Sequence, residues 1–358
     1  MAKTPGNIVV SPLSVLIATA MLDAAAEGET RTEIATAARF GVPETALHDE
    51  LRALLDELTT RVNHWAELSL ANGLWVDRSC SMAPSYQALL ERSYDAIADT
   101  LELGAQPDES CARINQFVAE RTRGKITSVV DPKTVTEATR LVLANVLYFL
   151  GAWEHRFREG DTKTEPFHPE PGKAVSVPMM HKELDTRYHE DDVAQVAMVP
   201  YQGSGLAMVL VLPRRSRTLR SVEEGLSPAQ VSEWLRGMER RGVDVAIPRF
   251  EVSSEVNLIP LLRTQGIKRV FTPGSAELPG VCDDPETFVG LASHYATLGI
   301  TEGGTEAAAA TVYKMTMGLD DAPPEVVAFR ADRPFLFIVG DVERGTVLFM
   351  GRYAGPGN

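Results

Sequence analysis

The chain has 358 residues, 44% of them hydrophobic and 23% charged, the balance of an ordinary soluble globular protein with a sizeable core. A formal net charge of −14 argues against a nucleic-acid partner, which needs clustered Lys and Arg to release counterions. Three cysteines, Cys80, Cys111 and Cys282, are too few and too scattered for a disulfide framework or a CxxC metal site, and buried free thiols are expected.

Near the N-terminus, Lys3, the apolar stretch from Ile8 to Leu22 and the small residues Ala24, Ala25 and Ala26 follow the order of a secretory signal. Ser11, Pro12 and Ser14 interrupt that stretch, and Leu13, Leu16, Ile17, Ala20 and Met21 then fall on one helical face. Ser11 as N-cap with Pro12 in the first turn predicts instead a buried helix ending near Gly28. No run reaches the about 18 apolar residues of a membrane span.

A second helix is expected from Thr30 to Phe40, opened by a Thr-x-x-Glu capping box and stopped at Gly41. A third covers Glu44 to Arg61, and others lie near Pro84 to Leu90 and Asp108 to Thr122, with strands at Leu68 to Val76 and before Leu103. The texture then changes. Leu141 to Leu150 is continuously apolar, as in a strand covered on both faces. Strand-like runs recur at Val193 to Pro200, Leu206 to Leu212, Val243 to Ile247, Pro334 to Val339 and Thr346 to Met350, with helices near Pro228 to Arg240 and Asn257 to Gln265. The run Arg214, Arg215, Arg217, Arg220 reads as a solvated loop. Helices first and strands later, without βα alternation, indicates an α+β protein, and the absence of repeats or long linkers predicts a single domain.

Motifs for catalysis are missing: there is no GxSxG elbow, P-loop, GxGxxG turn or HExxH helix. Ser204 sits in a Gln-Gly-Ser-Gly turn between two strands, and His189-Glu190-Asp191-Asp192 reads as a charged turn. No metal, cofactor or enzymatic activity is expected.

The segment TEGGTEAAAATVY, Thr301 to Tyr313, is unusual. Its alanines favour helix, yet alternate residues separate into an uncharged set (Thr305, Ala307, Ala309, Thr311, Tyr313) and a set carrying Glu306 and Lys314, the period of a strand with one face buried. A segment with two acceptable states is a candidate switch.

These residues carry a family resemblance. Glu302-Gly303-Gly304-Thr305-Glu306-Ala307-Ala308-Ala309-Ala310-Thr311 resembles the reactive-loop hinge of the inhibitory serpins, the serine protease inhibitor family. Asn7 to Ser14 is similar to the family's NxxxSPxS segment, although only Met1 to Gly6 stand where the family usually has a helix. Leu143-Ala144-Asn145 with Gly151-Ala152-Trp153, Val177 to Met180, Ile247 to Phe250, Asp332 to Phe337 and Leu348 to Arg352 resemble further family segments, in family order over nearly the whole chain.

The resemblance implies a large mixed central sheet, smaller sheets, about eight or nine helices and an exposed reactive loop at about 302–324, followed by C-terminal strands at 326–354. It implies a suicide-substrate mechanism in which a serine protease cleaves the loop, is held as an acyl-enzyme, and is distorted as the hinge inserts into the main sheet. Ser11, Ser14, Asn145 and His294 correspond to the shutter that holds the sheet closed. Trp153, Arg249 and Glu302 correspond to the breach where insertion starts. The family's usual spacing from the hinge residue Glu302 implies a reactive bond at Met317-Gly318 or Gly318-Leu319. Met or Leu would fill an apolar specificity pocket where Gly offers no side chain, so Met317 is favoured, with Leu319 and Tyr313 behind it, and a chymotrypsin-like or elastase-like target is expected. The partner is that protease, bound covalently by a monomer. The alternative within the family is a non-inhibitory chaperone or small-molecule carrier, whose hinge normally carries bulky, charged or proline residues.

Overall fold

The computed structural model describes residues 5–61, 65–282, 284, 286–305 and 326–357. The chain enters as a short strand, β1 (Ile8–Val10), and turns at Ser11, whose hydroxyl accepts from the Ser14 amide and caps helix α1 (Pro12–Ala25). Pro12 occupies the first turn, where its missing N–H is no loss. Leu13, Ile17, Ala20 and Met21 are buried as their spacing requires.

Helix α2 (Gly28–Ala38) corrects one expectation: the Thr30-x-x-Glu33 capping box is not made, because the helix begins earlier, at a Glu27 N-cap with no side-chain hydrogen bond. Thr30 and Glu33 anchor distant chain instead. The Thr30 amide donates to Glu277 Oε2, and Glu33 Oε2 accepts from the Lys268 and Arg269 amides. Then come α3 (Glu44–Arg61), β2 (Ala66–Asp77), α4 (Pro84–Tyr94), β3 (Ile97–Leu101), α5 (Pro107–Arg121) and β4 (Leu141–Ala152). β4 is the continuous apolar run, buried at all but one position.

The second half is mainly strand: β5 (Lys163–Phe167), β6 (Val175–Glu190), β7 (Ala194–Pro200), β8 (Leu206–Pro213), β9 (Glu239–Pro248), β10 (Phe250–Asn257), β11 (Leu291–Thr301), β12 (Gly304–Thr305), β13 (Val327–Arg330), β14 (Phe335–Asp341) and β15 (Thr346–Tyr353). Helices α6 (Leu219–Gly225), α7 (Pro228–Arg236) and α8 (Leu258–Thr264) lie among them. Arg220 thus belongs to α6, while Arg214, Arg215 and Arg217 precede it, the last two exposed.

Among the described residues there are two sheets. The larger runs β1-β15-β14-β8-β7-β6-β9-β13 with β5 on β6, and the smaller runs β10-β11-β12-β4-β2-β3. Helix α1 packs on β15 of the first and on β4 of the second, so the apolar faces of both sheets merge into one core around it. This is the expected α+β architecture.

The cysteines correct a second expectation. Cys111 is free and buried, but Cys80 and Cys282 form a disulfide with Cα atoms 5.0 Å apart. Folding brings together two loops that are 202 residues apart in sequence.

Candidate functional site

The site lies along the seam between β11 and β4. From Leu291 opposite Val142 to Ala296 opposite Leu147, the two strands pair directly and in parallel. Beyond that stretch β12 enters between them: Thr305 and Gly304 pair with Ile300 and Thr301 on one side and with Gly151 and Ala152 on the other. The sheet is closed at one end and split by the first two residues of a new strand at the other.

Glycine is required at the entry. Gly304 has φ of +144°, and a Cβ on it would lie 2.0 Å from the Gly151 carbonyl oxygen. Thr305 is fully buried, and its hydroxyl lies 2.6 Å from that of Tyr201. Burial pushes the Tyr201 phenol above its ordinary range, so it is neutral and able to donate. Tyr201 also stacks on Trp153, with centroids 4.6 Å apart. Trp153 in turn donates from its indole Nε1 to the Thr301 carbonyl and from its amide to the Gly303 carbonyl, at 2.9 and 3.0 Å.

Glu302 is nearly buried beside this turn. Its Oε1 accepts from the Thr162 hydroxyl at 2.7 Å and lies 3.7 Å from Arg249 Nη1. The half-exposed Arg249 leaves that ion pair open to screening, so it contributes about 0–1 kcal/mol. The Glu302 carbonyl accepts from the Phe157 amide at 3.0 Å.

A second cluster spans the closed part of the seam. His294 of β11 and Asn145 of β4 are register partners, and His294 Nδ1 lies 3.4 Å from Asn145 Oδ1. His294 Nε2 accepts from the Ser11 amide at 2.9 Å, which requires an unprotonated Nε2. Burial pushes this imidazole down to about 4. The Ser14 hydroxyl donates to Asn145 Oδ1, Asn145 Nδ2 donates to Asn72 Oδ1 at 2.5 Å, and Asn72 Nδ2 donates to the Tyr94 carbonyl at 2.9 Å. Ser11, Ser14, Asn72, Asn145 and His294 are all fully buried.

The structure therefore brings Ser11, Ser14, Asn145 and His294 together at one point of the seam, and Trp153, Arg249 and Glu302 together at its split end. Glu306, Ala307, Ala308, Ala309, Ala310 and Thr311 of the hinge lie outside the described residues, as do Tyr313, Lys314 and the reactive-bond candidates Met317, Gly318 and Leu319. Asn72, Thr162 and Tyr201 join the clusters without having been anticipated. Asn72 carries a signal, a polar residue in the apolar strand Leu68 to Val76; Tyr201 and Thr162 carry none, because only the fold brings them to the hinge.

Fold and seam together define a class of protein in which the smaller, six-stranded sheet, rather than the larger one, is already parted at one end by the start of the chain's own following segment. The chain belongs to the serpin family: the model for the serpins, serine protease inhibitors, matches residues 1–356. It is 33% identical to mouse antithrombin-III over 357 residues, covering 98% of this chain and 76% of that protein. It is also 33% identical to an uncharacterized serpin-like protein of Thermococcus kodakarensis, over 99% of this chain and 82% of that one. Among solved structures, Serpin48 of the insect Tenebrio molitor matches with a TM-score of 0.89 at 26% identity, over 99% of this chain and 93% of its own. Uncleaved ovalbumin matches with a TM-score of 0.86 at 27% identity, over 98% and 93%.

Proposed function

We propose that the chain inhibits serine proteases as a suicide substrate. The protease cleaves the loop after Met317, remains bound as an acyl-enzyme, and is carried along as the residues after Thr305 continue the strand begun by β12. The observation that supports this reading best is the register of β12: Gly304 and Thr305 are already paired on both sides, so each further residue adds ladder bonds to an existing strand.

Elementary sterics support it too. A strand entering a packed sheet must turn half its side chains into the core, and Ala307 and Ala309 are small enough to enter without displacing neighbours. From Thr305 to Met317 the extended chain would reach roughly 40 Å at about 3.3 Å per residue, enough to carry the cleaved end to the far side of the sheet. Met317 directs the choice of target toward a protease with an apolar specificity pocket, chymotrypsin-like or elastase-like, engaged by a monomer. The test is to mix the protein with chymotrypsin and look for a complex that survives SDS. Cleavage after Met317 with formation of that complex is expected; cleavage with no complex would reject inhibition.

A further inference from the structure

The Cys80–Cys282 disulfide plays no part in the hinge or the shutter, but it crosses the same seam. Cys80 lies just past Asp77, the last residue of β2, and β2 is paired with β4 along almost its whole length. Cys282 lies in the segment that feeds β11. The disulfide therefore joins the β4 side of the seam to the β11 side. It does so at the closed end, where Val76 pairs with Leu141 and Leu291 pairs with Val142.

Both loops are held by backbone hydrogen bonds. On the Cys80 side, the Arg78 amide donates to the Leu101 carbonyl and the Asp77 amide to the Arg140 carbonyl, which binds the turn to β3 and to the start of β4. On the Cys282 side, the Gly280 amide donates to the Ala25 carbonyl, and the Glu27 amide donates to the Glu277 carbonyl, which binds that loop to the end of α1. A Cβ on Gly280 would lie 3.0 Å from Ala25 Cα, so the two backbones are in close contact there. One backbone bond, from the Ala83 amide to the Gly280 carbonyl, crosses beside the disulfide.

Admitting a full strand would move β4 and β11 from about 5 Å to about 10 Å apart. A disulfide keeps its Cα atoms within roughly 4.4–6.8 Å. The hydrogen bond beside it can break and reform as the loops separate, whereas the disulfide cannot. We propose that the Cys80–Cys282 disulfide is a covalent brake on strand insertion, so that the disulfide-bonded chain completes insertion more slowly than the dithiol chain. The proposal rests on the reading that the loop inserts. A small dithiol releases the brake by thiol–disulfide exchange: its two thiols become a disulfide, and the Cys80 and Cys282 sulfurs each gain a hydrogen. With Cys80 8% and Cys282 7% exposed, that exchange is slow in the folded chain.

The test compares three preparations: the disulfide-bonded chain, the same chain reduced with excess dithiothreitol, and the Cys80→Ser, Cys282→Ser double variant. Thiols are counted after denaturation to assign each state. The loop is cut with a metalloprotease, which forms no acyl-enzyme, and insertion is followed as the gain of resistance to urea unfolding. Both disulfide-free preparations are expected to insert at least fivefold faster than the disulfide-bonded chain. Rates equal within twofold overturn the brake and leave the inhibitory reading standing. If the cut chain inserts in none of the three, that reading fails and the brake fails with it.

Discussion

His294 and Asn145 stand opposite each other in register across the stretch where β11 and β4 pair directly, so the two polar side chains expected to form the shutter sit on the two strands that the proposed insertion would separate. Each is also bound to something outside the β11–β4 pair, His294 to the Ser11 amide and Asn145 to Ser14 and to Asn72 on the neighbouring strand β2. The network thus links the seam to the N-terminus of α1 on one side and to β2 on the other.

Asn145→Ala should destabilise the closed sheet. It removes an acceptor and a donor from a fully buried network and strands the Ser14 hydroxyl and the Asn72 carbonyl. Leaving buried partners unmet costs about 1–3 kcal/mol. The urea midpoint should fall accordingly, and the uncleaved chain should convert to an inserted form faster on mild heating, as read on a native gel. An unchanged midpoint and conversion rate would show that the network does not hold the seam.

The shutter should also make stability depend on acid. The His294 imidazole is held at about 4, mainly by burial, against an ordinary value of 6.5. Between those values the unfolded chain binds a proton that the folded chain does not, so the contribution is complete above about pH 6.5 and is lost as pH falls toward 4. The full difference corresponds to about 3 kcal/mol. The urea midpoint should therefore fall between pH 7 and pH 5. His294→Gln keeps an acceptor for the Ser11 amide and should flatten that part of the profile; an unaltered slope would assign the acid sensitivity elsewhere.

These residues also show where the fold is legible in sequence. β4 can be read because a strand buried on both faces needs apolar residues at nearly every position, and Leu141 to Leu150 has them. β11 is equally buried but hidden, because Ser293, His294 and Thr297 interrupt its apolar pattern. Those polar groups are tolerated inside because partners meet them, as with the Thr297 and Ser253 hydroxyls 2.8 Å apart, and partners of this kind lie on other strands. The cap at Ser11 is a local pattern and is legible; the box at Thr30 is equally local but is overridden by Glu277, which binds the Thr30 amide first. The disulfide and Tyr201 depend wholly on long-range folding.

Tyr201→Phe should loosen β12 without touching the shutter. The substitution keeps the ring stacked on Trp153 but leaves the buried Thr305 hydroxyl without its partner. Hydrogen exchange at the Thr305 amide should accelerate by about tenfold to a hundredfold, corresponding to about 1–3 kcal/mol for the unmet group. Exchange at Leu143 to Leu147, deep in the seam, should stay as it is. Acceleration at both places would mean that the hinge and the shutter open as one unit.

Thr305→Arg separates cleavage from insertion. Thr305 is fully buried between β11 and β4 beneath the Tyr201 hydroxyl, and a guanidinium there would lose its water without gaining a carboxylate. Burying an unpaired charge is far costlier than the ladder bonds that one residue contributes. The arginine should therefore hold the hinge out of the sheet. The loop beyond it, with Met317 unaltered, remains a substrate. Chymotrypsin should cut the variant at the same bond as the parent but leave as free enzyme, with the SDS-stable complex falling at least tenfold. Mass analysis of the released C-terminal peptide fixes the bond, and residual protease activity fixes the partition. If the variant trapped chymotrypsin as well as the parent does, passage of residue 305 into the sheet would not be part of inhibition.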